Sequence, residues 1–375
     1  MNDTPRPSLA SRLIWALPLA LVPYLALAWR FAFITDDSFI SFRYARNLAA
    51  GKGLVYNPGT TPPVEGYSEF LWVLMIAPFE ALGMRPEGPA MFMGLLAGAA
   101  LIIWVLTFLA KHLAPGKLAL GAAALLLGCA PPMAVWTTGG MGTMAFSLAV
   151  FGLYERLFGE RDKPHAIGAA ICASLCVLLR ADGALFVFLF GGLGLAIGAL
   201  RKDRCLLRAA LTASAVSAAV FGAHVLWRYG YYDDWLPNTA RAKIGGSAFA
   251  LERGAKYVLH FALTMPGLVL AALLPLAFGR RTWERPTIAA ACGLLGLVAY
   301  SLWAGGDFMA FGRFLLPGIP LAVILGAKAF AALEEDNRKL ALGVLAALCI
   351  STTLAPAFGL HATPESLRAK THFRF

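Results

Sequence analysis

Residues 88–110 read GPAMFMGLLAGAALIIWVLTFLA, with no charged side chain anywhere in the run. A helix rises ~1.5 Å per residue, so this stretch is long enough to cross the ~30 Å hydrocarbon core of a bilayer. Working outward, comparable apolar runs recur at 10–34, 118–135, 143–158, 166–180, 183–200, 209–227, 257–278, 287–303, 314–333 and 340–359. The chain therefore reads as an all-α polytopic membrane protein of about eleven transmembrane helices. A barrel would show short alternating strands instead.

Composition agrees. The 375 residues are 59% hydrophobic and only 14% charged, where a soluble domain carries roughly a quarter. Mean hydropathy is +0.68. The first run is too long for a cleavable signal and lacks a small-residue cleavage site, so it reads as a signal anchor. The net charge of +11 would suggest nucleic acid in a soluble protein. Here much of it falls in short loops between spans, where it sets orientation. Five of the six cysteines, all but Cys205, lie inside apolar runs. Cys172 and Cys176 share a helix face, but no His joins them, so they read as small buried hydrophobes rather than metal ligands.

One segment needs a decision. YSEFLWVLMIAPFEALG (67–83) is short, carries Glu69 and Glu80, and contains Pro78. Read as a juxtamembrane helix that does not cross, it leaves a consistent positive-inside pattern. Arg6, Arg12, Lys111, Lys117, Arg156, Arg161, Lys163, the 201–208 cluster, Arg280, Arg281, Arg285, Arg338 and Lys339 then share one side. The opposite face receives two long polar loops, 35–87 and 228–256. Function is expected where they converge. The chain is read as a single transmembrane domain over 1–375, with no soluble C-terminal domain.

The first loop opens on Asp36 and Asp37 in TDDSFISFRYARNLAAGKGLVYNPGTTPPVEGY. One Asp here would serve as a helix cap; two exceed that need. The helix they start is amphipathic, with Phe39, Phe42 and Ala45 on one side and Arg43 and Arg46 nearby. Generic headgroup binding would explain the arginines. The sharper reading is an acid and a cation held together at a bilayer surface, as a lipid-phosphate sugar donor requires. An acceptor hydroxyl needs a general base. A phosphate leaving group needs cations rather than a strong acid.

Other outward segments supply candidates of the same type. RYGYYDDWLPNTARAKIGG (228–246) offers Arg241 and Lys243 to a phosphate and Asn238 to sugar hydroxyls, though an aromatic belt with solvated charges would look similar. GGDFMAFGRF (305–314) contains Asp307 and Arg313. An arginine at a helix start opposes the macrodipole, so structure alone explains it poorly; a local pair with Asp307 is the plainer alternative. Arg180 and Asp182 bracket a turn as an expected ion pair. Glu65 and Tyr67 follow a Pro/Gly turn and are candidates for sugar binding. No Walker loop, GxGxxG, HExxH or GxSxG motif occurs.

DDSFISFRYARNLAAGKGLVYNPG and PPVEGYSEFLW, followed in order by PPMAVWTTGG, LLRADG, RYGYYDDWLPNTARAK and GGDFMAFGRFLLP, resemble the membrane C-type (GT-C) glycosyltransferases. The branch most resembled is that of mycobacterial-type terminal arabinofuranosyltransferases, over about 36–320. The resemblance implies a GT-C-like bundle with juxtamembrane helices in its first extracytoplasmic loop, in a bacterial inner (cytoplasmic) membrane. It implies transfer of a sugar, a pentose such as arabinofuranose favoured, from a polyprenyl-phosphate donor, with Asp36 and Asp37 matching the acidic motif at the catalytic centre. Expected roles are donor-phosphate binding for Arg43, Arg241, Lys243 and Arg313, and orientation of sugar or acceptor by Glu65, Tyr67, Asn238 and Asp307. The acceptor is a glycan, a lipid or a surface protein; no nucleic acid and no cofactor is expected, and no protein-held metal, although a divalent cation is compatible. Two departures matter. Where the family often has Glu in a GLET-like stretch, this chain has Met141-Gly142-Thr143, and it ends about fifteen residues after the last apolar run, without the family's large C-terminal domain.

The competing reading is a lipid-linked sugar flippase or other transporter. That would call for polar groups at mid-membrane. His224 is the nearest candidate, whereas the charges cluster at one mouth. A non-catalytic lipid-binding subunit is a third reading.

Overall fold

The computed structural model describes residues 8–113, 116–159, 164–238 and 247–354. Among them there is no strand. The helices are α1 Leu9–Arg30, α2 Asp36–Ala49, α3 Phe70–Ala81, α4 Glu87–Phe108, α5 Lys117–Gly128, α6 Pro131–Thr138, α7 Thr143–Phe158 and α8 Ala166–Leu179. They continue with α9 Gly183–Leu200, α10 Arg204–Tyr232, α11 Ala248–Thr264, α12 Pro266–Leu273, α13 Arg285–Ala304, α14 Gly318–Asp336 and α15 Arg338–Leu354.

Five described helices are long and apolar enough to cross a membrane, or seven if each of two bent pairs is one span. This is a polytopic membrane protein, but about eleven full-length spans are not reproduced. Part of the difference lies in short helices such as α7, α8 and α15. Another part lies in prolines. The run expected over 118–135 breaks before Pro131-Pro132 into α5 and α6, bent by 43°. The run expected over 257–278 breaks at Pro266 into α11 and α12, bent by 95°. Proline lacks an N–H and biases the residue before it away from helix, so both runs turn where hydropathy alone sees continuity.

The second long loop is also shorter than 228–256. Helix α10 runs on to Tyr232 and stops at Asp233, whose left-handed φ of 54° caps it. Helix α11 starts early because the Ser247 side chain accepts from the Ala250 N–H at 3.0 Å. As expected, α3 is only 12 residues long; it packs on α2, and Arg46 reaches Glu80 at 3.4 Å.

Small residues let the spanning helices approach closely. A Cβ on Gly94 would fall 2.1 Å from the Thr137 carbonyl oxygen, and one on Gly128 2.3 Å from that of Ala20. Thus α4 and α1 fit against the α5–α6 pair, and Tyr24 hydrogen-bonds Thr137 at the crossing. One end of the bundle gathers the basic loops. There Arg12 donates to the Ala110 carbonyl, Arg285 pairs with Asp203 at 2.9 Å, and Arg281 pairs with Asp336 at 2.9 Å. The two polar loops meet at the other end.

Candidate active site

The hub of that end is the four-residue turn 139–142 between α6 and α7. Gly140 has φ +79°, and a Cβ there would meet Ser38 Oγ at 2.7 Å. The turn is therefore a glycine turn for both conformation and space. It receives the start of α2: the Thr35 N–H donates to the Gly139 carbonyl at 3.1 Å, and Ser38 Oγ donates to the same oxygen at 2.8 Å. Asp36 and Asp37 are thereby fixed in the first turn of α2. Asp36 Oδ1 accepts from the Asp37 N–H at 2.9 Å and from Thr35 Oγ1 at 3.1 Å.

The same turn receives α3 and the 305–315 segment. Trp72 Nε1 donates to the Gly140 carbonyl at 3.0 Å. The Gly142 N–H donates to Glu69 Oε2 at 2.9 Å. Arg313 Nη1 donates to Met141 Sδ at 2.8 Å, and its Nε donates to Asp307 Oδ2 at 2.7 Å. The Asp307 and Arg313 side chains are each only 2% exposed. Arg313 is aimed inward by a tight turn with left-handed backbone at Phe311 and Gly312. Its guanidinium also lies over the Trp136 ring at 5.4 Å.

Arg180 caps the C-terminus of α8 and forks onto Asp182 with bonds of 2.8 and 2.7 Å. Burial opposes its charge, but Asp182, and more weakly Glu69, hold the guanidinium firmly protonated. Glu69 itself is 1% exposed. Burial raises its pKa, while Arg180, the Gly142 N–H and Arg313 pull the other way.

A cavity of about 370 Å³ opens beside this cluster, with Glu65, Tyr67, Ser68, Arg180, Asp182, His224, Arg228 and Tyr300 in its wall. Glu65 Oε2 lies 3.0 Å from Arg228 Nε, each side chain 5% exposed. The two are close but misaligned, and neither atom makes a hydrogen bond. Burial pushes the Glu65 carboxyl up to about 7; Arg228 draws it down and Asp234 adds to the rise. Tyr67 packs edge-on to Tyr44, with centroids 4.8 Å apart, and its hydroxyl lies 3.2 Å from that of Tyr232.

Of the sequence candidates, Glu65 and Tyr67 stand in the cavity wall. Asp36, Asp37, Asp307 and Arg313 converge on the glycine turn. Arg43 lies outside that wall, its Nε bound to the Tyr56 carbonyl at 2.8 Å and its Nη2 to Asn57 Oδ1 at 2.9 Å. The Asn238 side chain is exposed, while its N–H donates to the Glu65 carbonyl at 3.3 Å. Arg241 and Lys243 lie outside the described residues. Sequence reading missed Glu69 and Arg228. The signal for Glu69 was an acid one position before an eight-residue apolar run, FLWVLMIA, a costly neighbour unless the acid is held. Among the described residues, no three His, Cys, Asp or Glu side chains are grouped to hold a metal ion.

No family model matches the chain. ArnT from Cupriavidus metallidurans, in a crystal structure bound to undecaprenyl phosphate, superposes with a TM-score of 0.61 at 16% identity over 96% of this chain and 69% of that one. The apo form of ArnT gives 0.55 at 14% identity over 96% and 68%. The chain has the fold of ArnT. In sequence, the chain is 27% identical over 329 residues to a terminal β-(1→2)-arabinofuranosyltransferase of Mycobacterium tuberculosis, covering 77% of this chain and 51% of that protein. It is 29% identical over 369 residues to the protein of the same name in Corynebacterium glutamicum, covering 86% and 51%. The chain thus spans about half the length of the curated relatives it matches.

Proposed function

We propose that this chain is a membrane glycosyltransferase. It moves a sugar, with a pentose such as arabinofuranose favoured, from a polyprenyl-phosphate donor to an acceptor on the extracytoplasmic face of the bacterial cytoplasmic membrane. The observation that carries this reading is the glycine turn at 139–142. It ties two first-turn carboxylates to a buried set of arginines and acids at the end of the bundle away from the basic loops. The GT-C fold and the arabinofuranosyltransferase relatives support it.

The chemistry follows from the groups. The acceptor hydroxyl oxygen attacks the anomeric carbon as the bond from that carbon to the phosphate oxygen breaks. The transition state has oxocarbenium character. The hydroxyl proton passes to Asp36 or Asp37, and the electron pair of the broken bond leaves on the polyprenyl phosphate. A positioned base of this kind contributes ~10²–10⁴-fold. The leaving phosphate gains charge, which Arg180 and Arg228 in the cavity wall, with Arg313 buried near Arg180, offset electrostatically. Glu65 and Tyr67 face the donor sugar, and Asp307 orients Arg313. No organic cofactor enters this scheme, and chelation asks whether a divalent cation joins the arginines.

The test is transfer from a synthetic polyprenyl-phosphate pentose by the purified protein in nanodiscs. Expected is sugar transfer by the wild type and its loss in Asp36→Asn or Asp37→Asn. Full activity in both folded variants would remove the acids from the chemistry. Translocation of the donor across liposomes without any transfer would favour the transporter reading.

A further inference from the structure

Resting on the glycosyltransferase reading, we infer that a second groove, on the loop side of α2, is the acceptor subsite and that it takes a saccharide. The groove measures about 310 Å³ and is lined by Ile40, Tyr44, Tyr56, Asn57, Thr60, Val64 and Gly66. That is near the lower end of small-molecule sites, ~300–1,000 Å³, and suits one end of a glycan.

Three observations point to a ligand. First, the groove is built. Three neighbouring side chains of α2 fold the 54–66 loop back onto the helix. Arg43 clamps the Tyr56 carbonyl and Asn57 Oδ1. The Tyr44 hydroxyl donates to the Val64 carbonyl at 2.6 Å and accepts from the Gly66 N–H at 2.8 Å. Asn47 Nδ2 donates to the Val55 and Tyr56 carbonyls at 2.7 and 3.0 Å. A groove fixed in advance loses less conformational freedom on binding.

Second, its lining is neutral and mixed. It has the partly exposed ring of Tyr56, with Tyr44 buried behind it, for the C–H face of a sugar, and the Thr60 hydroxyl for sugar hydroxyls. Asn57 spends its oxygen on Arg43, so it presents its NH₂ as a donor. No carboxylate belongs to the lining, and the cation at its edge, Arg43, already spends N–H groups on Tyr56 and Asn57, which suits a polyhydroxyl.

Third, it is placed for the reaction. Ile40 and Tyr44 continue the face of α2 one and two turns beyond Asp36 and Asp37. An acceptor seated there points its end toward the acids. The groove also shares a wall with the 370 Å³ cavity. In the extended 64–67 strip, Val64 and Gly66 line the groove while Glu65 and Tyr67 line the cavity.

The experiment uses a short synthetic pentose oligosaccharide as acceptor, with Asn57→Ala, Thr60→Ala and the groove-filling Val64→Trp. Asn57, Thr60 and Val64 are exposed. Expected is a rise in acceptor KM of about threefold to tenfold for each alanine variant, the range of one neutral hydrogen bond. Val64→Trp should abolish transfer to the oligosaccharide, with the donor KM unmoved in the alanine variants. Unchanged acceptor KM in all three overturns the proposal, as does a peptide or lipid acceptor whose KM alone responds. If the wild type transfers nothing, the glycosyltransferase reading fails separately. Saturation-transfer NMR of the oligosaccharide on the purified protein then decides the groove: signal lost in Val64→Trp supports it, and no signal with wild type overturns it.

Discussion

Glu69 Oε2 accepts the Gly142 N–H at 2.9 Å, while its other oxygen, Oε1, is buried with no hydrogen-bond partner. A carboxylate held on one side only is costly unless nearby cations offset it, and Arg180 and Arg313 do so. Glu69→Ala strands that N–H in a dry site, which costs about 1–3 kcal/mol. A clear fall in the apparent Tm in detergent is expected, with Glu69→Gln closer to wild type because its oxygen still accepts. Identical melting of wild type and Glu69→Ala would show that the turn does not depend on this bond.

Asp307→Asn should destabilise strongly. The pair with Arg313 is almost fully buried, and removing one partner of such a pair costs about 3–5 kcal/mol because the other charge stays behind. The double variant Asp307→Asn with Arg313→Met should recover much of the loss. A thermal double-mutant cycle measures this coupling; additive losses would rule out a shared origin.

Asp36 Oδ1 accepts from the Asp37 N–H and from Thr35, which ties it to the helix start. Asparagine in place of whichever acid takes the proton is expected to lower kcat by about 100-fold or more. Asp36→Asn should in addition cost about 1 kcal/mol or less of stability at the helix start. Steady-state kinetics beside thermal melting tells the two apart: the variant with the larger kcat loss marks the base, and small losses in both would remove the acids from the chemistry.

The stability of the protein should fall as pH rises from about 5 to about 7. Glu65 has its carboxyl raised from 4.5 to about 7, so the folded state holds the proton more tightly than the unfolded chain. The contribution is fully present below about 4.5 and is lost as pH passes about 7. Glu69 shifts in the same direction. Glu65→Gln should flatten this slope in detergent melts without removing it. An unchanged slope would exclude Glu65 as its source.

Gly140→Ala tests the hub directly. The new methyl would meet Ser38 Oγ at 2.7 Å in a backbone of φ +79°, so the start of α2 must shift. Misplacing a reacting group by ~1 Å costs on the order of 10²-fold in rate. A kcat loss of that order at unchanged donor KM is expected, and full activity would separate the turn from catalysis.

Hydropathy located α7 and α9 to the residue, because burial in lipid leaves a compositional mark. The breaks at Pro131 and Pro266 were visible as prolines but not as bends, since proline is tolerated in membrane helices when neighbours satisfy the freed backbone groups. Indeed α1 runs straight through Pro18 and Pro23. The acids Asp36, Asp37 and Asp307 and the cation Arg313 stood out by charge beside apolar sequence. Their meeting point did not, because the 139–142 turn makes its decisive bonds to residues 68 to 172 positions away. Such bonds carry no local signature.

The strip at 64–67 has one more consequence. Its side chains alternate between two chambers, so its length is as strictly set as any residue in it. Point changes at 64 or 66 retune one chamber and changes at 65 or 67 the other, which lets two specificities drift independently. Deleting a single residue would swap inside for outside along the partition, sending the acid into the groove and an aliphatic side chain against Arg228. Variation here should therefore run through substitution, with gaps confined to the proline-rich turn before it.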